Sequence, residues 1–282
     1  MRYDMPGPEP AQPIGVFDSG VGGLTVLRAL TARLPGEDFL YLGDTARLPY
    51  GAKSPASVSR YAVQCARVLA DQGVKLLVVA CNTASSVALP ALRENFPGLP
   101  VLGVVEPGAR AACERTDTGR IAVIATESTV RGGAYHTAIR RIRPNAQIHS
   151  LPCPLFVALA EEGWTDGPLV EGIVQEYLRP LFARFGEQGP DTLVLGCTHF
   201  PVLCAPIARV AGSGVAVIDS AATAAAQVAE YLDQAGLRRG KQANAEERVR
   251  FMATDGAGRF ARVAGVFLGQ DLTPEQITIV DL

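Results

Sequence analysis

"TLVLGCTHFP", residues 192–201, runs an apolar, β-branched stretch into a cysteine, a threonine, a histidine and then Phe-Pro. "LLVVACNTAS", residues 76–85, has the same build, with Cys81 standing where the first stretch has Cys197. A short, continuously apolar run closed by a polar turn is what a strand covered on both faces looks like, and such strands belong to parallel sheets. Each cysteine then stands at the carboxyl end of a strand and at the start of a helix, with Thr83 as a candidate cap and Pro201 as a candidate first-turn residue.

The same alternation extends through the chain. "IGVF", "DFLYLG", "KLLVVA", "PVLGVV", "RIAVIA", "AQIHSL", "TLVLG", "VAVID", "RVRFMA" and "ITIVD" are strand candidates. Between them lie helix-period segments such as "GGLTVLRALTARL", "ASVSRYAVQCARVLADQG", "VRGGAYHTAIRRI", "PLVEGIVQEYLRPLFARFG" and "AATAAAQVAEYLDQAG", several ending on glycine. This is the pattern of an α/β protein with mainly parallel sheets. The two cysteine stretches read as equivalent points in two similar three-layer α/β domains. Ligand sites in open α/β sheets form outside the carboxyl ends of strands, so two such halves facing one another enclose an active-site cleft with one cysteine on each wall.

Composition narrows the ligand. With 282 residues, 48% hydrophobic and 19% charged, and a formal net charge of −2, the chain is long enough for about two domains and has no basic run to suit nucleic acid. The apolar stretch 76–92 carries Asn, Thr, two Ser and a Pro, which makes it a poor membrane span, so a small-molecule ligand and a cytoplasmic location are expected. "MRYDMPGPEPAQP", residues 1–13, has no apolar core of a signal peptide and is expected to be a disordered lead-in. The six cysteines include no C-x-x-C pair, and Cys65, Cys113, Cys153 and Cys204 read as small buried hydrophobes.

Cys81 and Cys197 differ from those four by position. A helix N-terminus or a nearby imidazolium lowers a thiol's pKa, and Cys197 has His199 two residues on. Inverting a stereocentre by proton transfer needs a base on one face and an acid on the other, with the pair exchanging tasks in the reverse direction. Matched thiols on opposite walls meet that demand. No phosphate-binding G-x-x-x-x-G-K-[ST] is present. "DSGVGGLTV" has Thr25 where a dinucleotide fingerprint needs Gly or Ala, and "GAGRFA", residues 256–261, is expected to leave too little chain for a β–α–β unit. No cofactor is expected. "FDSGVGG" suits either a plain strand-to-helix turn capped by Asp18 and Ser19 or a backbone nest for an anion. "GDTARLPYGAKSP" is too rich in Gly and Pro to be regular structure. His136 and His149 read as structural or solvated, and Glu161 and Glu162 by pattern alone as solvent-facing ends of a helical turn.

Asp18-Ser19-Gly20, Pro49-Tyr50-Gly51, Cys81-Asn82-Thr83 and Cys197-Thr198-His199, in this order, resemble the linked motifs of the bacterial glutamate racemases, within the aspartate/glutamate racemase superfamily. "GVVEPG", residues 103–108, and "CPLFVALAEEG", residues 153–163, are also similar to family segments, and the likeness runs from about residue 14 to the C-terminus. The resemblance implies a cofactor-independent, metal-free racemase that interconverts L- and D-glutamate for peptidoglycan, acting as a homodimer. It implies Cys81 and Cys197 as the acid/base pair, with Asp18 near the first and His199 and Glu161 near the second. It implies substrate contacts from Asp18, Ser19, Tyr50, Gly51, Asn82, Thr83, Thr198 and His199. It also implies that the chain crosses back, giving a first domain of residues 14–108 plus 220–282 and a second of 109–219. Phe200 replaces a frequent tyrosine and Ala158 a frequent proline.

Four other readings compete. An aspartate or hydantoin racemase would keep the two thiols but not D-S-G-x-G-G and P-Y-G in this form. Zinc on Cys81, Cys197 and His199 would silence both thiols. A non-catalytic two-lobe amino-acid-binding protein has no use for paired thiols, and a cysteine hydrolase has use for one only.

Overall fold

Each strand candidate contains a strand in the computed structural model, which describes residues 7–240 and 248–282. The strands are β1 (Ile14–Asp18), β2 (Phe39–Gly43), β3 (Leu76–Val79), β4 (Val101–Gly103), β5 (Arg120–Ala125), β6 (Gln147–Pro152), β7 (Thr192–Gly196), β8 (Ala216–Asp219), β9 (Val249–Ala253) and β10 (Ile277–Ile279). They form a six-stranded sheet in the order β10-β9-β2-β1-β3-β4 and a four-stranded sheet in the order β6-β5-β7-β8. Every pairing in both sheets is parallel.

The apolar runs explain why. β1, β2, β3 and β7 are buried along their whole length. Successive side chains of a strand face opposite ways, so such a strand needs helices on both sides. Val16 and Tyr41 enter one core with the helices Leu24–Arg33, Ser220–Gln234 and Ala257–Leu268, while Phe17 and Leu42 enter another with the helix Pro55–Asp71. In the second sheet Ile124 and Leu195 face one core, and Val123 and Val194 face its opposite. Each sheet is thus the middle of three layers. The helix Val105–Arg115 carries the chain into the second sheet, and Ser220–Gln234 brings it back, packed against both Leu24–Arg33 and Val105–Arg115.

Four expectations change on inspection. Residues 1–6 of the expected lead-in lie outside the described residues, but 7–13 are not a free tail. The Pro13 carbonyl accepts from the Lys75 amide (3.0 Å), and the Pro10 carbonyl accepts from the buried Lys75 ammonium (2.7 Å), which also reaches Glu37 (2.6 Å) and the Leu237 carbonyl (2.9 Å). A buried ammonium needs such a complete set of acceptors, and these recruit the lead-in. The strand expected over 100–105 stops at Gly103, because Val105 already starts a helix. The single helix expected from "VRGGAYHTAIRRI" is two, Glu127–Gly132 and Ala134–Ile142, separated by Gly133 at φ 65°. Finally, "GAGRFA" does sit in a β–α–β unit, in which β9 leads through Ala257–Leu268 to β10.

Candidate active site

β1, β3 and β7 all end at one place, and the residues just past their ends make the site. Cys81 follows β3 as the N-cap of the helix Asn82–Val87, its sulfur accepting from the Ala84 amide at 3.5 Å. The sequence pointed to Thr83 as cap; the cysteine itself caps, and Thr83 is released for other contacts. The Cys81 thiol also donates to Ser19 Oγ (3.5 Å). Asp18, at the end of β1 beside β3, is wholly buried. Its Oδ2 accepts from the Gly20 amide (2.9 Å), whereas Oδ1 gains no hydrogen bond although the Ser19 and Gly23 amides lie near the carboxyl. Burial raises the Asp18 pKa. Burial, with the Asp18 charge next in importance, pushes the Cys81 thiol up to about 12.

The second wall is built differently. Cys197 follows β7, and the His199 Nδ1 lies 3.8 Å from its sulfur. The His199 Nε2 donates to Glu161 Oε1 (3.1 Å), and Glu161 Oε2 accepts from Arg259 (2.8 Å). Burial alone would lower the His199 pKa, but its hydrogen bonds to Cys197 and Glu161 outweigh burial and raise it to about 10. The same bond is the chief reason that Glu161 titrates below the ordinary range, so imidazolium and carboxylate stabilise each other. Phe267 meets the His199 ring edge-on at 5.1 Å, fixing its plane. Pro201 lies in the first positions of the short 3₁₀ turn Phe200–Leu203, and Phe200 has its ring against Phe156 at 5.4 Å.

The two walls touch through glycine and threonine. A side chain at Gly22 would meet the His199 Nδ1 at 2.4 Å, so only glycine lets the turn after β1 lie against that ring. Thr25 donates to the Thr198 carbonyl at 2.9 Å. Thr83 Oγ1 lies 2.9 Å from Thr126 Oγ1 and 3.2 Å from Thr129 Oγ1, closing a hydroxyl triangle between the sheets. Gly51 packs on Thr126, where a Cβ would come within 2.9 Å.

Asp18, Ser19, Asn82, Thr83, Thr198, His199 and Glu161 therefore gather around the two cysteines. Glu161 takes the contact with His199, and Glu162, beyond the helix end, stays exposed. Tyr50 is placed otherwise than a direct contact would need: its side chain is buried and its hydroxyl donates to Asp44. Sequence reasoning missed Thr126, Thr129, Asp44 and Arg259. The first two follow β5 in "ATEST" and could have been suspected from the strand-end rule; Asp44 and Arg259 lie in glycine-rich stretches whose spacing assigns no role to a charged side chain. Arg259 lies in "GAGRFA", beside a small cleft of about 110 Å³ that also includes Glu161, Val21 and Leu48.

Two buried polar atoms at the site lack a partner among the described residues, an acceptor, Asp18 Oδ1, and a donor, the Asn82 amide nitrogen. A buried unpaired donor or acceptor costs about 1–3 kcal/mol, so both are free to meet a ligand that presents an ammonium and a carboxylate. No group of three or more His, Cys, Asp and Glu side chains among the described residues is arranged to hold a metal ion.

Comparison with known proteins supplies names for this geometry. The family described as Asp/Glu/Hydantoin racemase matches residues 14–228. A glutamate racemase of Geobacter metallireducens is 48% identical over 263 residues, 93% of this chain and 95% of that one. The crystal structure of a Francisella tularensis glutamate racemase in complex with D-glutamate superposes with a TM-score of 0.86 at 36% identity, covering 96% of this chain and 98% of its own. That of a Thermus thermophilus glutamate racemase in complex with β-chloro-D-alanine gives 0.82 at 44% identity, covering 97% and 98%.

Proposed function

The chain belongs to the Asp/Glu/hydantoin racemase family, and from that premise we propose that it interconverts L- and D-glutamate by two-base proton transfer between Cys81 and Cys197. The observation that carries the proposal is the placement of an unpartnered buried acceptor, Asp18 Oδ1, and an unpartnered buried donor, the Asn82 amide, beside two buried strand-end thiols. An α-amino acid fits that pair by its own charges, ammonium to Asp18 and carboxylate to Asn82.

The steps follow from the electrostatics. With Asp18 and Cys81 side by side in a dry site, neither ionises easily, and the incoming ammonium supplies the missing positive charge. One thiolate removes the Cα proton from its face. The opposite thiol then delivers a proton to the other face, and the product leaves the two cysteines with their protonation exchanged. Ser19, Thr83, Thr198 and the threonine triangle offer hydroxyls and backbone donors to the carboxylates. Charge developing at Cα is met by these fixed donors in a cleft from which water is excluded. His199 relays protons to and from Cys197, and Glu161 holds the imidazole in the orientation that task needs.

We place the first domain at residues 14–108 plus 220–282 and the second at 109–219, with the cleft between their sheets. D-Glutamate for peptidoglycan, a cytoplasmic setting and a homodimer complete the proposal; no helix among the described residues is long and apolar enough to cross a membrane. The test is circular dichroism of L-glutamate, D-glutamate and L-aspartate with dialysed enzyme and no added cofactor. Decay of both glutamate signals to zero with aspartate unchanged is the expected result. Loss of the aspartate signal alone would move the substrate to its shorter homologue, and constancy of all three would leave a binding protein.

A further inference from the structure

Tyr135 is a buried titratable residue that the proton-transfer scheme does not use. It sits in the first turn of Ala134–Ile142, the helix that the left-handed Gly133 separates from its predecessor, and is 2% exposed. Its hydroxyl donates to Asn82 Oδ1 at 2.7 Å, a contact that crosses from the second sheet's helices to the turn holding Cys81. Its ring lies against Gly196, where a Cβ would come within 2.9 Å of it, and Gly196 is the residue before Cys197. On the other edge a Cβ at Gly108 would stand 3.4 Å from the ring and from the hydroxyl. One side chain therefore touches both cysteine turns.

The hydrogen-bond inventory shows what that contact does. A primary amide can present either its oxygen or its nitrogen to a neighbour, and a phenol can donate or accept. If Tyr135 accepted from the Asn82 nitrogen, the phenolic proton and Oδ1 would both be buried without a partner. With Tyr135 donating, only the Asn82 nitrogen remains unpaired, and this arrangement leaves fewer groups unsatisfied.

We propose that Tyr135 is a positioning residue that locks the Asn82 amide with its N–H groups toward the substrate carboxylate, and so sets the grip on the amino acid beside Cys81. The inference rests on the reading of Asn82 as a substrate contact. Without the phenol the amide can turn its oxygen toward the carboxylate, which repels it. The ring holds the turn before Cys197 by packing alone, so the hydroxyl governs binding and the ring governs folding.

Tyr135→Phe keeps the ring and removes the lock. The expected result is a KM for glutamate raised about tenfold in both directions, with kcat changed less than about threefold, as for the loss of one hydrogen bond to a charged group. In an Asn82→Ala background the same substitution should add nothing, because the two act through one contact. Additive effects, or a fall in kcat with KM unchanged, would overturn the inference. Nuclear magnetic resonance of the Asn82 side-chain amide gives a readout independent of turnover. Its two N–H signals should shift and broaden in Tyr135→Phe, and unaltered signals would refute the lock. Shifted signals in the variant, together with a wild type that does not racemise glutamate, would defeat the functional reading and leave the positioning role standing.

Discussion

Cys81 and Cys197 occupy equivalent places, each just past the end of an apolar parallel strand, yet their surroundings are opposite in charge. Cys81 keeps company with a buried carboxyl and a hydroxyl, and its thiol is pushed up to about 12. Cys197 faces an imidazole raised to about 10 and backed by Glu161 and Arg259, a chain of alternating charge that leads toward solvent. If the two thiols are the proposed proton carriers, the difference teaches that inversion asks for symmetric carriers but not for symmetric support. The Cys81 wall is short of positive charge, which a substrate ammonium would bring, and the Cys197 wall already holds its own. On this account the first wall chiefly binds and the second chiefly relays.

The comparison breaks most visibly at the thiols. Cys81→Ala and Cys197→Ala should each lower racemisation by about a thousandfold or more in both directions, since a positioned acid or base is worth about 10²–10⁴. Retention of most activity by either variant in a polarimetric assay would remove that cysteine from the scheme. The supports should then separate the walls. His199→Asn should cut kcat by roughly a hundredfold with KM changed far less. Asp18→Asn should raise KM by roughly tenfold or more, the worth of a charge-assisted hydrogen bond to the ammonium. Equal effects of the two substitutions on kcat and KM would erase the asymmetry.

The asymmetry also has a pH signature. The folded His199 pKa of about 10 exceeds the ordinary value of 6.5. Stability from the imidazolium is therefore fully present below about pH 6.5 and is lost as pH rises through about 10. Urea midpoints from pH 6 to about pH 10.5 should fall more steeply for the wild type than for His199→Asn, and parallel curves would show that the imidazolium is not stabilised. The smallest effect belongs to Arg259, which is 62% exposed and screened by salt. Arg259→Gln should lower kcat by less than about tenfold, with the gap between variant and wild type closing as salt is added.

The fold was legible because β1, β2, β3 and β7 are buried along their whole length, which writes short continuous apolar runs into the sequence. The motif-bearing turns were legible for a related reason, since ligand groups of α/β proteins collect just past strand ends. What escaped were contacts made by residues distant in sequence. Arg259 reaches Glu161 across 98 positions, and Lys75 reaches Leu237 across 162. Neither pairing leaves a local pattern. Gly133 escaped because two adjacent glycines inside a helix-period stretch show a weak point but not which of them adopts the left-handed conformation. Thr83 was misjudged as a cap because the sulfur of Cys81, a weak acceptor, took the amide that a hydroxyl ordinarily takes.

Deuterium bookkeeping in the first few per cent of reaction tests the two-base claim most directly. L-Glutamate and, separately, D-glutamate are incubated with enzyme in deuterated buffer, and the two enantiomers are resolved and weighed by mass spectrometry. With Cys81 and Cys197 on opposite faces, the newly formed enantiomer carries one solvent deuterium at Cα while the remaining starting enantiomer carries none. Product that retains the original hydrogen, or starting enantiomer that gains deuterium as fast as product forms, would mean that one group serves both faces and would contradict the account.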